Sequence, residues 1–361
     1  MSKKRIVHVI DDLSRGGAET LLVDLLPDLS AEYDIILVTL GDKVEFEPYQ
    51  VVCKKKISLH YKGTRDLIQV SRRLRKIIKK YKPDLVRSQL YWSTIITRLA
   101  VSNAIPFFFS VHATMNDDPI AWHKRLFLKG LEKLTYRKWQ NMIGVTEAVI
   151  DSFKAVHPQS GRTFLLHNFV RDSFFDQPYR FSYNRQRPLK LVTVSNLRLI
   201  KNIPYLIEAL HLLPREKVTL DIYGDGPLKT EILQTIEKYG LTNVRLMGRR
   251  NDIDKVLPGY DVFVSPSTVE GFGIAVAEAM SIGLPVIISD IPVYREIGSN
   301  EAFYINKNDP HSLKEILQTI INGTIDLLQI SHSTKQYAQR MFSKKGYMSK
   351  LNKIYETASS V

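Results

Sequence analysis

The stretch Ser265-Pro-Ser-Thr-Val-Glu270-Gly-Phe-Gly-Ile-Ala-Val-Ala-Glu278-Ala-Met-Ser-Ile-Gly283-Leu-Pro285-Val-Ile-Ile-Ser-Asp290 reads as strand, glycine loop, helix and strand. Gly271 and Gly273 permit a tight turn that lays backbone N–H groups bare, and a helix beginning near Ile274 adds its positive N-terminal end. Together they make a site for phosphate or sugar hydroxyls. Glu278 falls early in a helix that is otherwise apolar from Ile274 to Ile282, so its carboxylate is expected to face a cleft, where it suits bidentate acceptance from ribose hydroxyls. Glu270, eight positions earlier on the loop, is expected to point into the same cleft. The plain alternative is a helix-terminal acid and a solvated loop glutamate. Two glutamates bracketing a glycine loop at a strand's carboxyl end favour the site.

Working outward, short runs rich in Val, Ile and Phe recur at 5–10, 34–40, 84–88, 106–111, 142–145 and 163–166, and again at 189–195, 218–223, 244–246, 261–265 and 285–289. Longer helical patterns separate them, the alternation of buried parallel strands and crossover helices. Between the two series, residues 171–188 are polar without helical period and are read as a hinge. At 361 residues the chain exceeds what one core usually serves. The expected division is 1–175 with 343–361, a linker at 176–188, and a second domain at 189–342.

The single cysteine, Cys53, excludes an internal disulfide and a cysteine-based zinc cage and suits a reducing cytoplasm. The basic-then-apolar start is stopped by Asp11-Asp12 too early for a signal peptide, and no apolar run reaches the length of a spanning helix. The formal charge of +14 is uneven, with residues 1–180 carrying 29 Lys/Arg against 19 Asp/Glu. Nucleic acid, an anionic lipid surface and phosphorylated substrates all fit such a balance.

Three further segments bear on phosphate chemistry. Asn196-Leu-Arg198-Leu-Ile-Lys201 follows a strand, and Arg198 and Lys201 are placed to neutralise a diphosphate leaving group or are simply solvated. Gly224-Asp-Gly226 fits a close βα turn. Arg15-Gly16-Gly17-Ala-Glu19 opens the first helix and can present N–H groups to a phosphate, yet it lacks the dinucleotide spacing G-x-G-x-x-G, which argues against a nicotinamide cofactor.

These residues, with Asn168 in His167-Asn-Phe-Val and Gly283-Leu-Pro285-Val after the donor motif, resemble the retaining family 4 glycosyltransferases over nearly the whole chain. The resemblance implies an α/β GT-B fold: two Rossmann-like, doubly wound parallel-sheet domains facing across a cleft, with a C-terminal helix crossing back to the first. It implies that Glu278 binds the donor's ribose, that Glu270 and the backbone of Gly271, Phe272, Gly273 and Ile274 hold the donor sugar and distal phosphate, and that Lys201 contacts the diphosphate. Gly16 and Gly17 would close on the phosphates, and His112, in Phe109-Ser-Val-His112, matches the histidine that lines the sugar pocket; a purely structural strand-end histidine is the other reading. Where the family often has an arginine, this chain has Asn196, so Arg198 is expected to supply the charge. The frequent Asn-Gly-Val-Asp turn is here Asn168-Phe-Val-Arg171.

The implied reaction moves a sugar from a nucleoside diphosphate, UDP or GDP, to a glycan or lipid-linked acceptor with retention, in polysaccharide, lipopolysaccharide or glycolipid assembly. No cofactor and no metal are expected, the nucleotide sugar being a co-substrate. The segment 65–82 has eight basic residues and one acidic, with Leu67, Val70, Leu74, Ile77 and Ile78 at helical spacing. It reads as a crossover helix with solvated charges or as a peripheral contact with anionic phospholipid on the inner face of the cytoplasmic membrane. Residues 120–139, with Trp122, Leu126 and Phe127 among Lys124, Arg125 and Lys129, read as core packing or as part of that surface. A GT-B nucleotide-sugar epimerase is the rival reading. A nucleic-acid-binding protein is the remote one, since no recognition motif accompanies the charge.

Overall fold

The structure is a computed structural model and describes residues 3–113, 122–178, 183–184 and 186–358. The chain forms two compact units, Met1–Asn168 with Tyr347–Val361, and Phe169–Gly346.

In the first unit the order is β1 (Arg5–Ile10), α1 (Gly17–Glu32), β2 (Asp34–Thr39), β3 (Lys55–Ser58), α2 (Leu67–Tyr81), β4 (Leu85–Gln89), α3 (Tyr91–Ala100), β5 (Phe107–Val111), α4 (Trp122–Thr135), β6 (Asn141–Gly144), α5 (Glu147–Val156) and β7 (Thr163–Leu165). The strands form one parallel sheet in the order β3-β2-β1-β4-β5-β6-β7. Its interior strands are buried along nearly their whole length, so β1, β2 and β5 read as mostly apolar runs, while central β4 buries the polar Arg87, Ser88 and Gln89. The Thr146 hydroxyl caps α5 by accepting from the Val149 amide at 3.3 Å.

The second unit continues with α6 (Asp172–Phe175), β8 (Leu189–Val194), α7 (Ile203–His211), β9 (Val218–Tyr223), α8 (Lys229–Lys238), β10 (Val244–Gly248), α9 (Ile253–Val256), β11 (Val262–Ser265), α10 (Ile274–Ile282), β12 (Val286–Ser289), α11 (Pro292–Gly298), β13 (Ala302–Ile305), α12 (Pro310–Asn322) and α13 (Leu327–Phe342). Its parallel sheet runs β10-β9-β8-β11-β12-β13. Strand order reverses between β8 and β11, and in such sheets ligands bind outside the carboxyl ends of the strands at that reversal. Leu191, Leu206, Leu220, Val264 and Ile287 are among the residues of its core.

α14 (Lys344–Ala358) starts in the second unit, and from Tyr347 onward it belongs to the first. It is held there by buried Arg87, which donates to the hydroxyls of Tyr355 at 3.0 Å and Tyr347 at 3.1 Å. Ser343 ends α13 and separates it from α14.

The first boundary falls after Asn168, earlier than the polar linker implied. Residues 169–175 belong with the second unit because the Val170 amide donates to the Phe342 carbonyl at 2.8 Å and Phe174 is fully buried on α6, which packs on α10. Residues 179–182 and Arg185 of the expected linker lie outside the described residues.

Candidate active site

The carboxyl ends of β8, β9, β10 and β11 and the start of α10 surround a cavity of about 320 Å³ in the second unit. Asn196, Lys201, Glu270, Gly273, Ile274 and Glu278, all anticipated from the sequence, line it together.

Glycine makes the local geometry possible at two points. Gly224 has φ +146°, and a Cβ there would collide with the Ser195 carbonyl, so the loop after β9 can lie directly against the loop after β8. The Ser195 amide donates to the Tyr223 carbonyl and the Leu197 amide to the Asp225 carbonyl, each at 3.0 Å. Gly273 is left-handed, with φ +84°, and a Cβ there would sit 2.6 Å from Cε1 of Tyr294. No side chain caps the start of α10. The amides of Ile274 and Ala275, at the first turn and in the pocket lining, therefore remain as anion donors.

Glu270 is the centre of a chain of polar contacts. Its Oε1 accepts from Lys201 Nζ at 2.5 Å and from the Tyr294 hydroxyl at 3.0 Å, and the Tyr294 oxygen lies 2.6 Å from Ser265 Oγ. Both side chains of the Lys201–Glu270 pair are less than one-fifth exposed. Burial and the neighbouring Glu270 charge push the Tyr294 phenol well above its ordinary pKa, so it stays a protonated donor. Tyr294, on α11, was not anticipated: between Pro292 and Gly298 an aromatic reads as ordinary helix packing.

Tyr223, Arg249 and Arg250 also line the pocket without having been singled out. The Tyr223 hydroxyl lies 2.9 Å from that of Tyr260, which donates to Asp221 Oδ2 at 2.6 Å, and Arg245 grips Asp221 with two bonds of 2.8 and 2.7 Å. The signal available in the sequence was the pair of arginines directly after β10, in the same strand-end position as Asn196 after β8.

Arg198, Phe272 and Gly271, also expected at the site, are not on the cavity lining. Arg198 is exposed and outside the pocket lining, because the turn from Arg198 to Lys201 directs one cation outward and the other in. The Phe272 side chain is core, 4 % exposed and edge-on to Phe342 at 5.9 Å, which leaves only its backbone for a ligand. Gly271 is not among the lining residues.

Gly16, Gly17 and His112 lie in the first unit. Gly16 caps α1 and Gly17 begins it, and the Glu19 carboxylate folds back against Gly16. Burial, with Asp12 and Asp11 nearby, raises the Glu19 pKa. His112 follows β5, its Nε2 buried with no hydrogen-bond partner among the described residues, and burial together with the Arg87 charge presses its pKa down to about 4. His8, bonded to Gln89 at 3.2 Å, is pressed down to about 3 for the same two reasons.

Comparison with known proteins agrees with this architecture. Residues 15–174 match the family model described as Glycosyltransferase Family 4, and residues 176–341 the model described as Glycosyl transferases group 1. The GtfA subunit of the UDP-N-acetylglucosamine–peptide N-acetylglucosaminyltransferase of Streptococcus agalactiae is 32 % identical over 185 residues, half of this chain and 34 % of that protein. The chain thus aligns with about a third of that relative's length. EpsF of Bacillus subtilis is 26 % identical over 322 residues, 80 % of each chain. The crystal structure of Anabaena HepE in complex with UDP and glucose superposes with a TM-score of 0.80 at 20 % identity, covering 99 % of this chain and 100 % of that one. With the two models spanning both units and the parallel sheets matching, the chain belongs to the family 4 glycosyltransferases and has the GT-B fold.

Proposed function

We propose that the second unit binds a nucleoside-diphosphate sugar, most simply a UDP-sugar, and that the enzyme transfers the sugar with retention to a glycan or lipid-linked acceptor in cell-surface polysaccharide, lipopolysaccharide or glycolipid assembly. The carrying observation is the convergence of Glu278, the Lys201–Glu270 pair and the uncapped start of α10 on one cavity at the strand-order reversal. UDP in the HepE complex and the UDP-N-acetylglucosamine in the streptococcal enzyme's name support the nucleotide.

In this reading Glu278 accepts from the ribose hydroxyls, while Lys201, Arg249 and the amides of Ile274 and Ala275 meet the diphosphate. Glu270 Oε1 is taken by Lys201 and Tyr294, which leaves Oε2 to accept from a hydroxyl of the donor sugar. The bond from the anomeric carbon to the diphosphate oxygen breaks and its electron pair leaves with the diphosphate. The acceptor oxygen bonds to the same face of that carbon, and its proton passes to the departing phosphate oxygen. The chain's residues work by charge stabilisation and positioning, and the reading gives no role to a resident metal.

The enzyme would act in the cytoplasm, at the inner face of the membrane where lipid-linked acceptors are met. No helix of the described residues is long and apolar enough to cross a membrane, so the contact would be peripheral. Calorimetric titration with UDP, GDP and their sugars tests the donor assignment. Saturable binding of one nucleotide series that is lost in Glu278→Ala is expected, and absence of binding by any of them overturns the assignment.

A further inference from the structure

α4 inverts the usual arrangement of a surface helix. Its inner side is fixed by polar contacts: the Glu132 carboxylate, 7 % exposed, meets the fully buried Arg98 guanidinium at 2.7 Å, and the Tyr91 hydroxyl donates to the Leu128 carbonyl at 2.7 Å. Its outer side carries Leu126, Phe127 and Leu134, which are 66, 54 and 71 % exposed. With Gly130 between them these positions share one helical stripe. A helix that buries an ion pair and shows three large apolar side chains outward is arranged for an apolar medium on that side.

Charge identifies the medium. α2 and α4 both pack on α3, so the three helices form one layer. The outer face of α2 exposes Arg72, Lys76, Lys79 and Lys80, and Lys133 near the end of α4 and Lys138 in the turn after it are exposed as well. α2 cannot insert by itself, because Val70, Leu74 and Ile78 of its stripe are buried and only Ile68, at its start, is exposed. One element thus offers apolar side chains and its neighbour offers cations, the two components an anionic bilayer interface takes up.

We propose that α4 docks the enzyme on anionic phospholipid, Leu126, Phe127 and Leu134 entering the interfacial region while the cations of α2 and of the α4 terminus meet headgroup phosphates. This rests on the membrane-side acceptor proposed above and moves the inserting element from 65–82 to α4.

The test is co-sedimentation of the full chain with phosphatidylcholine vesicles and with mixed phosphatidylcholine/phosphatidylglycerol vesicles, at low and high salt. The same is done for the triple variant Leu126→Ser, Phe127→Ser, Leu134→Ser, whose changes are all at exposed positions. Binding is expected only to the mixed vesicles, weakened by salt, and lowered about tenfold or more in the triple variant. Equal binding to both vesicle types, or a triple variant that binds like the parent, overturns the docking. So does a parent dimer in sedimentation that the variant converts to monomer, since a second copy would then cover the face. Nucleotide titration of the same samples separates the readings: bound nucleotide without vesicle binding defeats only the docking, and absent nucleotide binding defeats the donor assignment beneath it.

Discussion

Replacing Gly273 by Ala tests the candidate site at the point where backbone and side-chain constraints meet. Gly273 is left-handed, a conformation that costs an L residue about 1–2 kcal/mol. The added Cβ would also stand 2.6 Å from Cε1 of Tyr294, whose ring is 1 % exposed and held by the bonds of its hydroxyl to Glu270 and Ser265. Overpacking of this kind costs about 1–3 kcal/mol, so the variant should lose about 2–5 kcal/mol in total. Any relief must shift either the Tyr294 hydroxyl, and with it the 3.0 Å bond to Glu270, or the first turn of α10. Nucleotide binding should therefore fall along with stability. Chemical denaturation followed by calorimetric nucleotide titration reads both effects. A double variant with Tyr294→Leu divides the two causes: the side chain then lacks Cε1, so the clash term vanishes while the backbone term stays, and the pair should be less destabilised than the sum by about 1–3 kcal/mol. A Gly273→Ala protein within about 0.5 kcal/mol of the parent, with unchanged nucleotide affinity, would refute the reasoning.

Three further outcomes follow from the same geometry. Glu278→Ala should weaken nucleotide binding by about tenfold or more while leaving the melting transition in place, because it removes charged hydrogen bonds at the pocket wall and no core packing; unchanged affinity in calorimetry would count against a ribose role. Lys201→Ala should lower turnover by about 10²-fold, with a smaller effect on KM, since the lysine's charge matters most as the diphosphate leaves; a near-normal rate in a coupled nucleotide-release assay would contradict this. His112, with a folded pKa of about 4 against an ordinary value of 6.5, binds fewer protons in the native chain than in the unfolded chain between those values, so its contribution to stability is lost as pH falls through that window. About 2 kcal/mol should go between about pH 7 and about pH 5, and denaturation curves of His112→Gln should show that part of the slope removed; an unaltered slope would mean that the imidazole is not held neutral.

The sequence carried the fold further than the site because the two leave different traces. Strands buried on both faces are rich in apolar residues, and every strand expected from such runs is present, including β4 with its buried Arg87. β3 and β13 were not expected, and both are edge strands: β3 reads Lys-Lys-Ile-Ser, with exposed lysines where an interior strand would be apolar. Glycines that mark close approach, Gly224 and Gly273, were legible because the requirement is written in the residue itself. Tyr294 and Tyr223 were not, since an aromatic that walls a pocket has the same local pattern as one that fills a core. Arg198 and Lys201 differ by a single short turn, and only the backbone decides which of them faces the pocket. The same limit applies to α2 and α4. Periodicity finds an apolar stripe in α2, where it is buried, and cannot tell that in α4 Leu126, Phe127 and Leu134 are exposed while Glu132 is buried.

Electrostatics sharpens how an anion would be held. The excess of positive charge lies mostly in the first half of the chain, and the candidate pocket is not a basic patch: Lys201, Arg249 and Arg250 on its lining are balanced by Asp225, Glu270 and Glu278. Arg250 is engaged by Asp252 through two bonds of 2.8 and 2.6 Å, and Lys201 by Glu270. Net attraction therefore cannot select a diphosphate here, and position must. The amides at the start of α10 supply partial positive charge without a counterion, at the place where Gly273 turns the chain so that they border the cavity. Lys201 keeps two of its three ammonium protons for a further acceptor while bonded to Glu270. A site built this way holds its cation in place before the ligand arrives and spends little reorganisation when charge develops on the leaving group. It also makes Glu270 double in effect: neutralising it as Glu270→Gln would free Lys201 from its anchor, so tighter nucleoside-diphosphate binding with slower transfer is the expected signature, and a parallel loss of both would show that the pair does not act as one unit.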